Sequence, residues 1–232
     1  MRTGNAIKRD AVRQAFKIIM QRVIGFALFA AAAGTVTDLR GNIYFLAYFL
    51  SAVAACAIML RGHQEVLSAR EKRRENTETW DKFLMPILVL LLFFGIYVAA
   101  GFGVRFGLAR LSDAWSYVGY GFCVLSCVFS LWPLLENRHF EGTARIQSDR
   151  EHTVVSTGPY RIVRHPGYLG CVLGTIAVTL IFGTWPVAVT AAVIIVLVVA
   201  RTYLEDTMLK KDLAGYLAYA DKVKYRLLPF LW

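Results

Sequence analysis

The chain has 232 residues, of which 57% are hydrophobic and 18% charged, and its formal net charge is +10. A mean hydropathy of +0.50 excludes an ordinary water-soluble domain and favours a polytopic membrane protein. The positive charge does not indicate a nucleic-acid partner, because the basic residues cluster beside apolar segments, as they do in membrane proteins.

Six apolar segments, taken in chain order, predict an all-α integral membrane fold of about six membrane-embedded helices. The first four are long enough to cross, or nearly cross, a hydrocarbon core of about 30 Å. The last two are shorter and almost contiguous, so they predict a tight helical hairpin, followed by a cytoplasmic C-terminal helix. The segments are 23–36, 43–60, 84–104, 115–135, 168–183 and 186–200.

The distribution of basic residues predicts the topology. Of the 26 lysines and arginines, only Arg40, Arg105 and Arg110 fall between segments one and two or three and four. The positive-inside rule then places both termini and the 136–167 loop in the cytoplasm, so we expect an integral membrane protein whose site faces the cytoplasm. Membrane lipid is an expected partner, since each basic residue near the surface attracts anionic lipid by about 1 kcal/mol. The basic N-terminal segment is not expected to be a cleavable signal peptide.

Two parts of the chain differ in character. Residues 1–82 predict a two-helix membrane segment that ends in a charged interfacial helix, from Glu65 to Lys82, with Trp80 at the membrane surface. A substrate-binding role is the alternative for its charged part, from Glu71 to Lys82. Residues 83–232 hold the unusual polar motifs.

The cysteines lie in apolar segments and are expected to have packing roles. Although Cys123 and Cys127 share a helix face, no further ligands nearby support a metal site.

The most informative stretch runs from Thr157 to Gly170 and reads T-G-P-Y-R-I-V-R-H-P-G-Y-L-G. It places irregular backbone, two arginines and a histidine directly before an apolar helix. A membrane protein holds such backbone only where a cavity or water receives its polar groups. The stretch therefore predicts a functional site.

A second polar group follows the last apolar segment. Arg201 and Glu205 are spaced i,i+4 on one helix face, and Asp206 comes next. One interpretation is a surface ion pair in which Arg201 and Glu205 neutralise each other. The other is that both side chains border the same cavity as the 157–170 motif.

Together these residues resemble the isoprenylcysteine carboxyl methyltransferase and phospholipid methyltransferase superfamily of membrane enzymes. The string from Gly158 to Gly170 is followed by R-T-Y-L-E-D from Arg201 and by the terminal Y-R-L-L-P from Tyr225. The resemblance covers about residues 115–232, and residues 1–75 carry little of it. The superfamily often has two consecutive glutamates where this chain has Glu205 and Asp206, so the role of Asp206 stays open.

The resemblance implies methyl transfer from S-adenosylmethionine to a small or lipophilic acceptor, whose methylated group is a carboxylate, thiol, amine or lipid headgroup. It implies that Glu205 meets the positive part of the cofactor and contributes to catalysis with Arg201, which would lie near the transferred methyl and the acceptor. The implied cofactor wall consists of Gly158, Pro159, Tyr160, Arg164, His165, Pro166, Tyr168 and Gly170.

Several alternatives remain open at this stage. Arg161 and Arg164 are as well explained by lipid phosphate or a structural role as by the cofactor carboxylate. His63, His139 and His152 are expected at the surface or an interface, and Tyr216, Tyr219 and Trp232 in packing. A nicotinamide-dependent membrane reductase related to sterol reductases and a non-catalytic membrane scaffold are the alternative functions.

Overall fold

The computed structural model describes residues 4–71 and 76–232, and the regular elements in these ranges are all helical. A π-helical segment, Leu91–Gly95, joins the fourth helix to the fifth. The α-helices are α1 (Gly4–Ala33), α2 (Leu39–Gly62), α3 (Gln64–Glu71), α4 (Thr79–Leu90), α5 (Ile96–Arg105), α6 (Asp113–Glu136), α7 (Pro166–Phe182), α8 (Trp185–Asp212) and α9 (Tyr216–Lys222).

Five helical segments are long and apolar enough to cross a membrane, and α7 is a shorter apolar helix of 17 residues. The predicted all-α integral membrane fold is therefore confirmed, with a count close to the predicted six. The five are α1, α2, the continuous helix from α4 through α5, α6 and α8.

The predicted single interfacial helix over 65–82 is wrong. Residues 72–75 lie outside the described ranges, but 76–78 are not helical, and α4 begins at Thr79 as the first turn of a membrane helix. Val66 and Leu67 of α3 are buried rather than laid on a surface. Asp81, in the first turn of α4, is 1% exposed, and the predicted boundary between residues 82 and 83 falls inside this helix.

The chain reverses direction between α7 and α8 at Gly183. This residue ends α7 with φ +62°, a left-handed conformation that only glycine adopts without strain. A side chain here would also collide with Leu111, whose N–H donates to the Gly183 carbonyl. Thr184 alone separates the turn from α8, so the two helices must fold back against each other.

Helices α6 and α7 approach closely because glycines line their interface. A Cβ atom at Gly119 of α6 would lie 2.7 Å from Ile181 Cγ1 and 3.0 Å from the Ala177 carbonyl oxygen of α7. Small residues allow such close packing in membranes, where association relies on van der Waals contact rather than on the hydrophobic effect.

We expect Gly119→Ala to destabilise the protein by about 1–3 kcal/mol, because the added methyl group overpacks this interface. Gly121→Ala is the matched control: it lies two residues away on α6 with nothing near its Cβ position, and alanine is the better helix former. Melting temperatures in one detergent compare the two variants. Equal or opposite shifts would contradict the packing described.

Candidate functional site

A cavity of about 210 Å³ lies at the end of the helical bundle that carries the 137–165 loop. Its wall combines α3, α4, the 137–165 loop, α7, α8 and α9. It includes these residues predicted from the sequence: Tyr160, Arg164, His165, Pro166, Tyr168, Arg201 and Glu205. The two separated motifs are thus brought to one place.

Three predicted wall residues lie outside the cavity lining. Gly158 has φ +54° and packs against the Glu136 side chain, and Pro159 is buried at the start of a 3-10 turn. Gly170 faces α6, where a Cβ atom would lie 2.7 Å from Ser130 Oγ. These residues shape the motif and seat α7, but they do not border the cavity.

Asp206 is fully buried and binds the motif to the C-terminal segment. Its carboxylate accepts two hydrogen bonds from Arg164, at 2.7 and 3.0 Å, and one each from Arg226 and Tyr216 at 3.0 Å. Lys210 Nζ lies 3.2 Å away. Burial opposes the charge of Arg164, but the bonds to Asp206 outweigh burial and raise the pKa of the guanidinium. Asp206 is therefore structural.

Arg164 has little capacity left for a ligand. Besides its two bonds to Asp206, its Nη1 donates to the carbonyl oxygens of Val223 and Lys224 at 2.7 and 2.9 Å. A guanidinium has five N–H donors, so these contacts use most of them. Arg164 holds the cavity wall in place.

His165 is also held firmly. Its Nε2 lies 3.3 Å from Asp206 Oδ1 and 3.4 Å from the Tyr216 hydroxyl, and its ring stacks on Tyr168 with centroids 5.7 Å apart. Its backbone N–H donates to the Arg226 carbonyl at 2.9 Å. The imidazole thus fixes the Tyr168 ring at the cavity wall.

Arg201 pairs with Asp81 rather than with Glu205. Its Nε donates to Asp81 Oδ1 at 2.7 Å, its Nη2 reaches Asp81 Oδ2 at 3.3 Å and the Gly142 carbonyl at 3.2 Å, and its Nη1 donates to the Tyr168 hydroxyl. The surface-pair interpretation is therefore wrong, since Arg201 is only 4% exposed. The sequence did not identify Asp81, which is 120 residues away along the chain.

Glu205 lines the cavity, where it feels the charge of Arg201 but forms no ion pair with it. Its carboxylate accepts a hydrogen bond from the Tyr168 hydroxyl, which in turn receives one from Arg201. Within residues 4–71 and 76–232, no basic side chain lies within ion-pair distance of Glu205. The neighbouring carboxylates thus differ in role, since Asp206 is saturated with partners and Glu205 is open to a ligand.

The 137–165 loop contributes two histidines that the sequence analysis placed at the surface or an interface. That prediction is wrong for His139, which is 4% exposed and lines the cavity together with His152. The two rings lie 4.8 Å apart, and His139 Nδ1 is buried without a hydrogen-bond partner among the described residues. Burial, and then the proximity of His139, lowers the pKa of His152 to about 4.

The comparisons with known proteins concern the half of the chain that carries these motifs. Residues 114–214 match the family described as phospholipid methyltransferase. Over 120 residues, the chain is 28% identical to proteins named probable protein-S-isoprenylcysteine O-methyltransferase from Oryza sativa subsp. indica and subsp. japonica. Each alignment covers 50% of this chain, which spans 62% of the length of these relatives. The predicted resemblance is confirmed.

We expect Asp81→Asn to destabilise the protein by about 3–5 kcal/mol, because it leaves the Arg201 guanidinium buried without its counter-charge. Asp113→Asn is the matched control, since Asp113 pairs with Arg40 but its side chain is 78% exposed, and such pairs contribute at most about 1 kcal/mol. Chemical denaturation in detergent measures the free energy of unfolding of both variants. Similar losses in the two variants would show that Asp81 and Arg201 do not form a buried pair.

Proposed function

We propose, from the similarity of this chain to the isoprenylcysteine and phospholipid methyltransferases, that it is a membrane methyltransferase using S-adenosylmethionine as methyl donor. The observation that carries the proposal is the Glu205 carboxylate at the cavity wall. It has a tyrosine hydroxyl as partner but no cation within ion-pair distance among the described residues. A ligand with positive charge would complete it.

The cavity residues fit such a donor. Glu205 would receive its cationic part, and the stacked His165 and Tyr168 rings with Tyr160 and Pro166 would form the platform for its base and sulfonium. When bound, S-adenosylmethionine supplies a methyl group activated by a positively charged sulfur. The unpaired Nδ1 of His139 offers a further hydrogen-bonding position in the same wall.

The chain's own contribution to catalysis would be alignment and exclusion of water. Holding two reactants in line can lower the activation free energy of their reaction by about 7–11 kcal/mol. Four hydrogen bonds of Arg201 go to protein groups, which leaves one Nη1 proton for an acceptor. In this proposal, Arg201 orients the acceptor and fixes the Tyr168 hydroxyl against Glu205, while Gly158, Pro159, Arg164 and Gly170 support the wall from behind.

The acceptor is proposed to be small or lipophilic and to carry a carboxylate, thiol, amine or lipid headgroup. Apolar side chains from α4 and the π-helical segment form the other wall, among them Leu88, Leu92 and Phe93. This wall supports entry of an apolar chain from the bilayer. A π-helical turn often marks a functional position, and here it directs Leu92 and Phe93 to the cavity.

We propose that the 137–165 loop moves when substrates bind. At about 210 Å³ the cavity is smaller than typical ligand sites, which begin near 300 Å³. The loop is attached to the bundle by the Ala144 N–H, which donates to Asp81 at 2.7 Å, and by the Gly142 carbonyl, which accepts from Arg201. Opening at these bonds would admit the reactants, from the cytoplasmic side of a bacterial inner membrane in our proposal.

We expect Glu205→Gln to weaken binding of S-adenosylmethionine about tenfold to a hundredfold, because it removes a charge-assisted hydrogen bond of about 1.5–3 kcal/mol. The fold should survive, since Glu205 forms no ion pair among the described residues and the buried Arg201 keeps its hydrogen-bonded partner Asp81. Calorimetry and melting temperature in detergent measure both effects.

Glu151→Gln is the matched control, because Glu151 is an exposed loop residue outside the cavity lining, and its cofactor affinity should equal that of the wild type. Unchanged affinity in Glu205→Gln would refute the assigned site. Binding of a nicotinamide cofactor in place of S-adenosylmethionine would instead favour the reductase.

A further inference from the structure

Arg70, at the end of α3, brings a positive charge to the cavity without a carboxylate partner. Its side chain lines the cavity, and its Nη1 is buried without a hydrogen-bond partner in the described part of the chain. No carboxylate of the described residues lies within ion-pair distance of it. A buried guanidinium nitrogen without an acceptor is costly, so a ligand group is expected to supply one.

The other arginines of the lining do not share this property. Each is neutralised by at least one carboxylate within 2.8 Å, and the pairs are Arg145 with Glu141, Arg164 with Asp206, and Arg201 with Asp81. Among the described lining residues, Arg70 therefore differs from every other arginine in having its charge available. A ligand anion would meet it without breaking an existing pair.

The Arg70 guanidinium lies near an aromatic ring and near a second guanidinium group. Its guanidinium carbon lies 5.3 Å from the centre of the Phe140 ring. Burial is the main cause that lowers the pKa of Arg70, and the positive charge of nearby Arg201 lowers it further. The two guanidinium groups of Arg70 and Arg201 are thus close enough to repel each other, and the nearby Glu141 carboxylate acts in the opposite direction. An anion bound at Arg70 would reduce the repulsion further.

We propose that Arg70 binds an anionic group, a carboxylate or a phosphate, on the methyl acceptor, an inference that rests on the proposed function. The acceptor would then be an amphiphile, with its anionic group at Arg70 and its apolar chain along Leu88, Leu92 and Phe93. Arg70 lies outside the matched residues 114–214. The family and the relatives are named for different acceptors but the same transferred group, so a residue that binds the acceptor can lie outside the residues that match the family.

The test compares binding of octanoate, octyl phosphate and neutral octanamide to the full-length protein in a non-ionic detergent, by calorimetry. We expect the wild type to bind at least one anionic probe tenfold to a hundredfold more strongly than octanamide. Which anion binds more strongly identifies carboxylate or phosphate. Arg70→Gln should lose this preference, Arg70→Lys should retain much of it, and Arg61→Gln, a control at an exposed position, should behave as the wild type.

Affinity for S-adenosylmethionine is measured on the same samples and should stay within twofold of the wild type in Arg70→Gln. A tenfold loss there would overturn the proposal and assign Arg70 to the donor's own carboxylate. No anion preference in the wild type, or one that persists in Arg70→Gln, would also overturn it. A wild type that selects anions but does not bind S-adenosylmethionine would instead refute the proposed function.

A second measurement does not depend on a variant that folds. Phenylglyoxal modifies accessible arginines, and mass spectrometry of the wild type locates the modified positions. Octanoate or octyl phosphate should protect Arg70 while octanamide does not, and Arg61 should react equally in all samples. Modification of Arg70 that is unaffected by both anions would contradict the proposal.

Discussion

The architecture of the site depends on two buried charged residues near the end of α8, Arg201 and Asp206. Each of them pairs with an oppositely charged residue from another part of the chain. Arg201 is 4% exposed and Asp206 is 0% exposed, and neither can stay ionised there without partners. Arg201 donates hydrogen bonds to Asp81 of α4 and to the Gly142 carbonyl of the 137–165 loop. Asp206 forms ion pairs with Arg164 of the 157–170 motif and with Arg226 of the C-terminal segment. Elements far apart in the chain are thereby fixed around one cavity.

The same pairing separates structural charges from those that are open to ligands. Once Arg201 and Asp206 have their partners, Glu205 and Arg70 are the lining charges that keep no ion-pair partner in the described ranges. One is negative and lies on α8, and the other is positive and lies on α3. A cationic donor at Glu205 and an anionic acceptor at Arg70 would satisfy both charges.

Much of this was predictable from the sequence, because apolar length determines membrane helices and the two motifs flank a short hairpin. The grouping of Tyr168, Arg201 and Glu205 at one cavity follows from that hairpin. The Asp81 pairing was not predictable, since its charged neighbours made residues 65–82 resemble an interfacial helix. Gly170 was assigned to the cofactor by resemblance alone, but the structure shows that a glycine is needed there because α6 packs too closely for a side chain. Neither His139 nor Arg70 has a local pattern that separates it from a surface residue.

Methyl transfer itself is the central claim, and a labelling experiment tests it most directly. Purified protein would be incubated with methyl-labelled S-adenosylmethionine and a membrane lipid and metabolite extract, and the products identified by mass spectrometry. We expect label on an extract molecule that has an anionic group and an apolar chain, and much less of this product with Glu205→Gln at the same subsaturating concentration of S-adenosylmethionine. No labelled product from any fraction, in a preparation that binds nicotinamide cofactors instead, would contradict the claim.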